Sequence, residues 1–274
     1  MLLIAVALAP LLMLLATSVE RRLGPAAGGW TTALPLGFMV TLLAIALTAG
    51  PATAGTVAAS AAAYVPAQVI FGLLFGAALT RWGLLAGAIA GLLGYVAASV
   101  TLARLPQDVA VVLALAALTG GARLVTSESP HAARPRKPSA TVIVCLSATA
   151  AVLGSTLASQ AAGPAVGGAV AAFPTVSGTL AVAVTARGSR GEGASVLAGL
   201  VRNLPCFFAF ALTIAICARD LGFWSFAIAA IPAIIVAALT WHATVTGRLG
   251  TAWCCTLPLA QGLPGIWTIP RGAR

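Results

Sequence analysis

Long apolar runs alternate along the chain with short polar punctuation. Ten runs are long enough to form helices, at roughly 1–17, 31–49, 55–79, 83–103, 108–125, 140–159, 165–186, 194–218, 222–241 and 249–267. Most are close to the twenty or so residues that an α-helix needs to cross about 30 Å of hydrocarbon. The short alternating strands of a membrane β-barrel are not visible in the pattern. Pro258 and Pro264 interrupt the last run. The pattern predicts an all-α polytopic membrane protein with about ten transmembrane helices.

The punctuation also divides the chain. Its longest polar stretch, Thr126–Ser139, reads "TSESPHAARPRKPS" and is basic and proline-rich. It separates a first transmembrane repeat (1–125) from a second (140–274), with 126–139 as a cytoplasmic basic linker. "ALPLG" (Ala33–Gly37) and "AFPTV" (Ala172–Val176) lie 139 positions apart, as do "YVPAQVIFGL" (Tyr64–Leu73) and "NLPCFFAFAL" (Asn203–Leu212). Pro35 thus pairs with Pro174, and Pro66 with Pro205. The shift spans five helices, an odd number, so the second copy enters the membrane upside down. Two inverted five-helix repeats are a transporter plan, with the substrate held near midplane where the halves meet.

Composition removes other classes. Only 7% of the 274 residues are charged and mean hydropathy is +1.05, against about a quarter charged in soluble domains. The net charge of +10 invites a nucleic-acid reading, but the chain has a single lysine and its arginines, Arg202 apart, sit in short loops or at helix ends, so no nucleic-acid partner is expected. Alternating from a cytoplasmic loop at Ser18–Gly29 puts Arg21, Arg22, Arg81, Arg123, Arg134, Arg136, Lys137, Arg187, Arg190 and Arg248 inside. Arg104, Arg219, Arg271 and Arg274 fall outside. This bias places both termini outside. All six tryptophans fall near predicted helix ends, where indole rings favour the headgroup layer. Met1–Ala16 lacks the basic start of a secretion signal and reads as the first helix. Alanine- and glycine-rich usage points to a GC-rich bacterium, hence to its cytoplasmic (inner) membrane. The five cysteines lie in apolar segments without a metal-ligand spacing and read as small packing residues.

Against this apolar background the polar exceptions stand out. In "VRNLP" (Val201–Pro205), Arg202 sits eight residues into its predicted helix. A cation near mid-helix costs from about 2.5 to well over 10 kcal/mol, depending on how it is measured. It reads either as an anion or headgroup anchor in a polar cavity or as an arginine snorkelling to the headgroups. Asn203, its repeat mate Tyr64, and Gln68 one turn on could bind a ligand or tie helices together. Pro174, Thr175 and Ser177 combine a backbone break with two hydroxyls, either lining a cavity or forming a packing kink. These seven residues are the candidate substrate site. Gly83, Gly87 and Gly91 share one helix face and read as packing. The acids Glu20, Asp108, Glu128, Glu192 and Asp220 all fall at predicted helix ends or in loops, so no core carboxylate is available for ion coupling. No catalytic carboxylate pair, nucleophile set, metal motif or phosphate loop occurs, and neither catalysis nor a cofactor is expected.

The segment "GGAVAAFPTVSGTLAVAVTARGSRGEGASVLAGLVRNLPCFFAFAL", with its flanking helices, resembles the small GlpM-like family of four-helix bacterial membrane proteins. Phe173-Pro174-Thr175, the charged turn Arg187–Glu192 and Pro205-Cys206-Phe207-Phe208 match that layout. The first unit matches less well, with Leu34-Pro35-Leu36 and an uncharged turn in the corresponding places. The likeness spans about 1–103 and 140–242, with the fifth helix as a linker that inverts the second copy. It implies a role around envelope polysaccharide production and supplies no substrate.

Two functions follow as expectations. One is a secondary transporter or flippase-like permease for an anionic small molecule or a lipid-linked precursor. The other is a non-catalytic membrane subunit supporting envelope polysaccharide or lipid biosynthesis. The expected partners are the bilayer, the substrate, and either a second copy or an envelope-synthesis protein.

Overall fold

The computed structural model describes residues 34–124, 138–186 and 188–245. The predicted helices at 1–17 and 249–267 and most of the linker lie outside them. Within the described residues the chain is helical and without strands. The segments are α1 (Leu36–Ala49), α2 (Pro51–Ala63), α3 (Val65–Trp82), α4 (Leu84–Leu102), α5 (Gln107–Leu124), α6 (Pro138–Ala162), α7 (Pro164–Ala172), α8 (Thr175–Thr185), α9 (Arg190–Leu221) and α10 (Trp224–Val245). Six helical stretches are long and apolar enough to cross a membrane: α3, α4, α5, the interrupted pair α7–α8, α9 and α10.

Two predicted helices are each divided in two, and in both cases a proline explains it. The run predicted as 55–79 spans α2 and α3, which meet at Tyr64 just before Pro66. A proline has no N–H to give to the carbonyl four residues earlier, so the backbone leaves helical geometry at Tyr64 (φ −89°, ψ 4°). The run predicted as 165–186 divides at Phe173-Pro174 for the same reason. Pro205, by contrast, is accommodated inside α9, which runs unbroken for 32 residues. That helix begins at a cap in which Ser189 Oγ accepts from the Glu192 N–H at 3.2 Å, the S-x-x-E pattern of a helix start. Arg202 therefore lies twelve residues in rather than the eight expected, about 18 Å along the axis.

The core is built around α9. It packs against α2, α3, α8 and α10, and most of its apolar window is buried, as is that of α3. Small residues set the approach. A methyl group added to Gly55 would lie 3.0 Å from Ala218 Cβ, one on Gly72 would lie 2.6 Å from Val201 Cγ2, and one on Gly83 would lie 3.3 Å from Arg190 Nη2. Contacts that rise along α2–α3 thus fall along α9, so the two run antiparallel over their whole length. Side chains at Gly55 and Gly72 would hold the helices apart.

Helices α4 and α10 lie outside this pair, and both are largely exposed. Leu85, Ile89, Leu93 and Val100 on α4, and Ile231, Ile234 and Leu239 on α10, face outward, a surface suited to acyl chains. Each follows a reversal at a glycine with positive φ, Gly83 (97°) before α4 and Gly222 (54°) before α10. L-residues rarely adopt that conformation. Gly87 and Gly91 seat α4 on Phe71, Phe75 and Leu79 of α3.

Candidate binding site

The site begins at the break between α7 and α8. Pro174 cannot donate to the Val170 carbonyl, and the Phe173 N–H takes that acceptor instead, at 3.2 Å. This leaves the Ala169 carbonyl without its usual helical donor. The Tyr95 hydroxyl of α4 supplies one at 2.6 Å. One turn earlier, Ser60 Oγ of α2 donates to the Ala165 carbonyl at 3.0 Å. The short α7 is therefore held by hydroxyls from two neighbouring helices. An unpartnered carbonyl in a membrane interior costs several kcal/mol, so these bonds make the break tolerable. Phe173, at the break itself, is stacked edge-on between Tyr95 (centroids 4.9 Å) and Phe71 (5.5 Å).

On its inner side the break opens into a cavity of about 80 Å³. Leu34, Gly37, Phe38 and Thr41 of α1 and the segment before it form one wall, and Phe173–Ser177 form the opposite one. Gln68 of α3, Val152 of α6, and Leu200, Leu204 and Phe207 of α9 complete it. Two helices start at this cavity. α1 follows Pro35 and α8 follows Pro174, and neither start carries a side-chain cap. Thr41 Oγ1 donates back to the Gly37 carbonyl at 3.1 Å, so its proton is spent locally. Gln68 is only 3% exposed, and its Nε2 has no hydrogen-bond partner.

Of the seven residues singled out in the sequence, Gln68, Pro174, Thr175 and Ser177 meet at this cavity. Arg202, Asn203 and Tyr64 are buried but are not among its lining residues. Arg202 is 7% exposed, enclosed by protein rather than stretched along a lipid-facing surface. Asn203 Oδ1 accepts from Thr240 Oγ1 of α10 at 3.0 Å. With Cys206 Sγ, which donates to the Ala233 carbonyl at 3.1 Å, it ties α9 to α10. Tyr64 forms the α2–α3 junction. The sequence reading did not single out Tyr95 or Thr41. Tyr95 had a signal, since it is one of only two tyrosines in the chain and lies inside an apolar run.

A second cavity, of about 410 Å³ and almost wholly apolar, shares Leu34 with the first. Its walls include Met39, Phe210, Ala233, Ile234 and Ala237. The arrangement is that of a helical membrane protein with a small donor-bearing cavity between interrupted helices. Comparison with family models, curated proteins and solved structures gives no match to this chain.

Proposed function

We propose that the protein is a secondary transporter or flippase-like permease of a bacterial inner membrane, built from two inverted repeats with its substrate site between them. The observation that carries this reading is the cavity between α1 and α8, where a buried glutamine amide is left without a partner. The 139-residue register supports the duplication. Pro35 and Pro174 both stand just before a helix, and Gly83 and Gly222 both make positive-φ reversals. The antiparallel course of α2–α3 against α9, its repeat mate, is what an axis in the membrane plane requires. The Gly55–Ala218 contact has its counterpart, within one residue, in Leu79 against Gly193. Two opposed copies around one site can open alternately to either side. Catalysis plays no part in this reading.

Topology and transport test it separately. In a cysteine-free background, Ala52→Cys and Arg190→Cys are expected to label from opposite faces of the membrane, because the turns at the starts of α2 and α9 are repeat mates. Labelling from the same face ends the inverted-repeat reading. A melting screen of the purified protein against anions, sugars, amino acids and lipid precursors identifies a ligand, and uptake of that ligand into proteoliposomes tests transport. Arg202→Ala is expected to abolish uptake at near-normal yield. Unchanged uptake would make Arg202 a structural cation.

The GlpM-like layout favours a second reading, a non-catalytic subunit that positions an envelope-synthesis partner. The exposed faces of α4 and α10 offer the surface. Specific co-purification of a polysaccharide- or lipid-synthesis enzyme, with no uptake of any ligand, would favour it.

A further inference from the structure

We infer that the cavity between α1 and α8 binds a small carboxylate or oxyanion group, held by the first turns of two helices and by the Gln68 amide. The inference rests on the transporter reading for its purpose, though not for its chemistry. The amides of Phe38 on α1 and of Val176 on α8 lie in first turns and have no backbone acceptor among the described residues. Neither start has a side-chain cap to take their place. Each helix start carries roughly half a positive charge, and both starts contribute residues to one small cavity. Such termini favour anions without any cationic side chain, and low dielectric strengthens the effect.

The side chains agree with the backbone. The unpartnered group of Gln68 is its Nε2, a donor, buried at the cavity wall. A buried amide N–H₂ without an acceptor is costly, and an anionic oxygen would satisfy it. Among the described residues no acidic or basic side chain lines the cavity, so the described walls neither oppose a negative ligand nor favour a positive one. Thr41, whose proton is already given to Gly37, leaves the amides as the principal donors. The volume of about 80 Å³ is several times the roughly 10–15 Å³ that one water needs. It fits the head of a small acid or a planar oxyanion.

The test is binding of radiolabelled acetate to the purified full chain by scintillation proximity. Saturable binding is expected, displaced by nitrate but not by acetamide, the neutral isostere of acetate. Gln68→Leu keeps the volume and removes the donor, and it should weaken binding about tenfold or more. Gly37→Ala is the second variant, because a methyl there meets nothing within 4 Å. It should preserve or raise the melting temperature, since alanine favours helix over glycine, while weakening acetate binding by intruding on the cavity. In nanodiscs, displacement of acetate by phosphatidylglycerol would assign the group to a lipid head, and failure to displace it would assign it to a free solute. Absence of saturable binding, acetamide competing as well as nitrate, or Gln68→Leu binding at full affinity would overturn the inference. Acetate binding that depends on Gln68, with no uptake of any anion by proteoliposomes, keeps the anion site and removes the transporter. Uptake of a neutral solute that acetate does not inhibit keeps the transporter and removes the anion site.

Discussion

Two proline-led helix starts, 139 positions apart, are surrounded in different ways. At Phe173-Pro174 an aromatic ring inserts into the groove between α3 and α4, where Phe71 and Tyr95 receive it, and the Tyr95 hydroxyl caps the freed Ala169 carbonyl. At Leu34-Pro35 the corresponding groove lies between α9 and α10. The residues in register with Phe173 and Tyr95 are Leu34 and Ile234. These smaller side chains adjoin a cavity of about 410 Å³ instead of a ring stack. The first is filled and hydrogen-bonded, while the second borders an apolar space whose walls include Phe210 and Trp241. On the inverted-repeat reading, a few side chains decide the chemistry of each half.

The largest expected effect comes from positions on α4 and α10 that lie 139 residues apart. A methyl on Gly91 would lie 2.8 Å from Phe75 Cβ and 3.3 Å from the Phe71 ring. Its register mate is Ala230, which already carries a Cβ and lines the large cavity. Gly91→Val is expected to destabilise by about 3 kcal/mol, at the upper end of overpacking costs. Ala230→Val should stay within about 1 kcal/mol, because its added methyls have space. Unfolding of both variants in mixed micelles measures the difference. Equal costs would show that the two grooves are packed alike.

Most helices were legible because apolar runs of the right length are bounded by glycine, proline and charge. Gln68 and the Pro174–Ser177 stretch were legible because polar groups are rare in such runs. Which face of each helix turns inward was not legible. In water an amphipathic stripe marks the buried face, but here lipid and protein interior are both apolar, so the stripe carries little signal. Tyr95 and Thr41 went unnoticed for that reason, since only the folded arrangement shows that they face the break and the cavity. Arg202 drew attention for its cost, yet burial alone did not place it at the cavity. The split at Tyr64 was missed because one residue out of helical geometry leaves the hydrophobic run intact, whereas Pro205 shows that the same proline position can stay helical.

The hydroxyl of Tyr95 gives an effect of middle size. Tyr95→Phe keeps the ring between α4 and Phe173 and removes the donor to Ala169. Interhelical hydrogen bonds in membranes average about 0.6 kcal/mol and reach about 1.7. The upper part of that range is expected, because the break leaves this carbonyl without a helical donor. Ile234→Ala, at the register mate, should cost under about 0.5 kcal/mol because Ile234 is largely exposed. A Tyr95→Phe protein as stable as the wild type would mean that the carbonyl finds another donor, and the contrast between the two helix starts would then be one of shape alone.

The smallest effect asks whether the surroundings of the Leu34-Pro35 start can be converted toward those of Phe173-Pro174. Leu34 borders both cavities, so Leu34→Phe places a ring where Phe173 stands in the other half. Phe210 and Phe38 already lie 6.3 Å apart, centroid to centroid, beside that position. A ring turned into the large cavity would bury added apolar surface worth about 1 kcal/mol, a rise of roughly 2–4 °C in melting temperature by the scaling for chains of this size. Acetate binding should be unchanged, since the smaller cavity keeps its donors. A ring turned the other way would enter that smaller cavity and weaken acetate binding without raising the melting temperature. The two measurements together tell whether the gap at Leu34-Pro35 is merely unfilled space or a boundary that keeps the donor-lined cavity open.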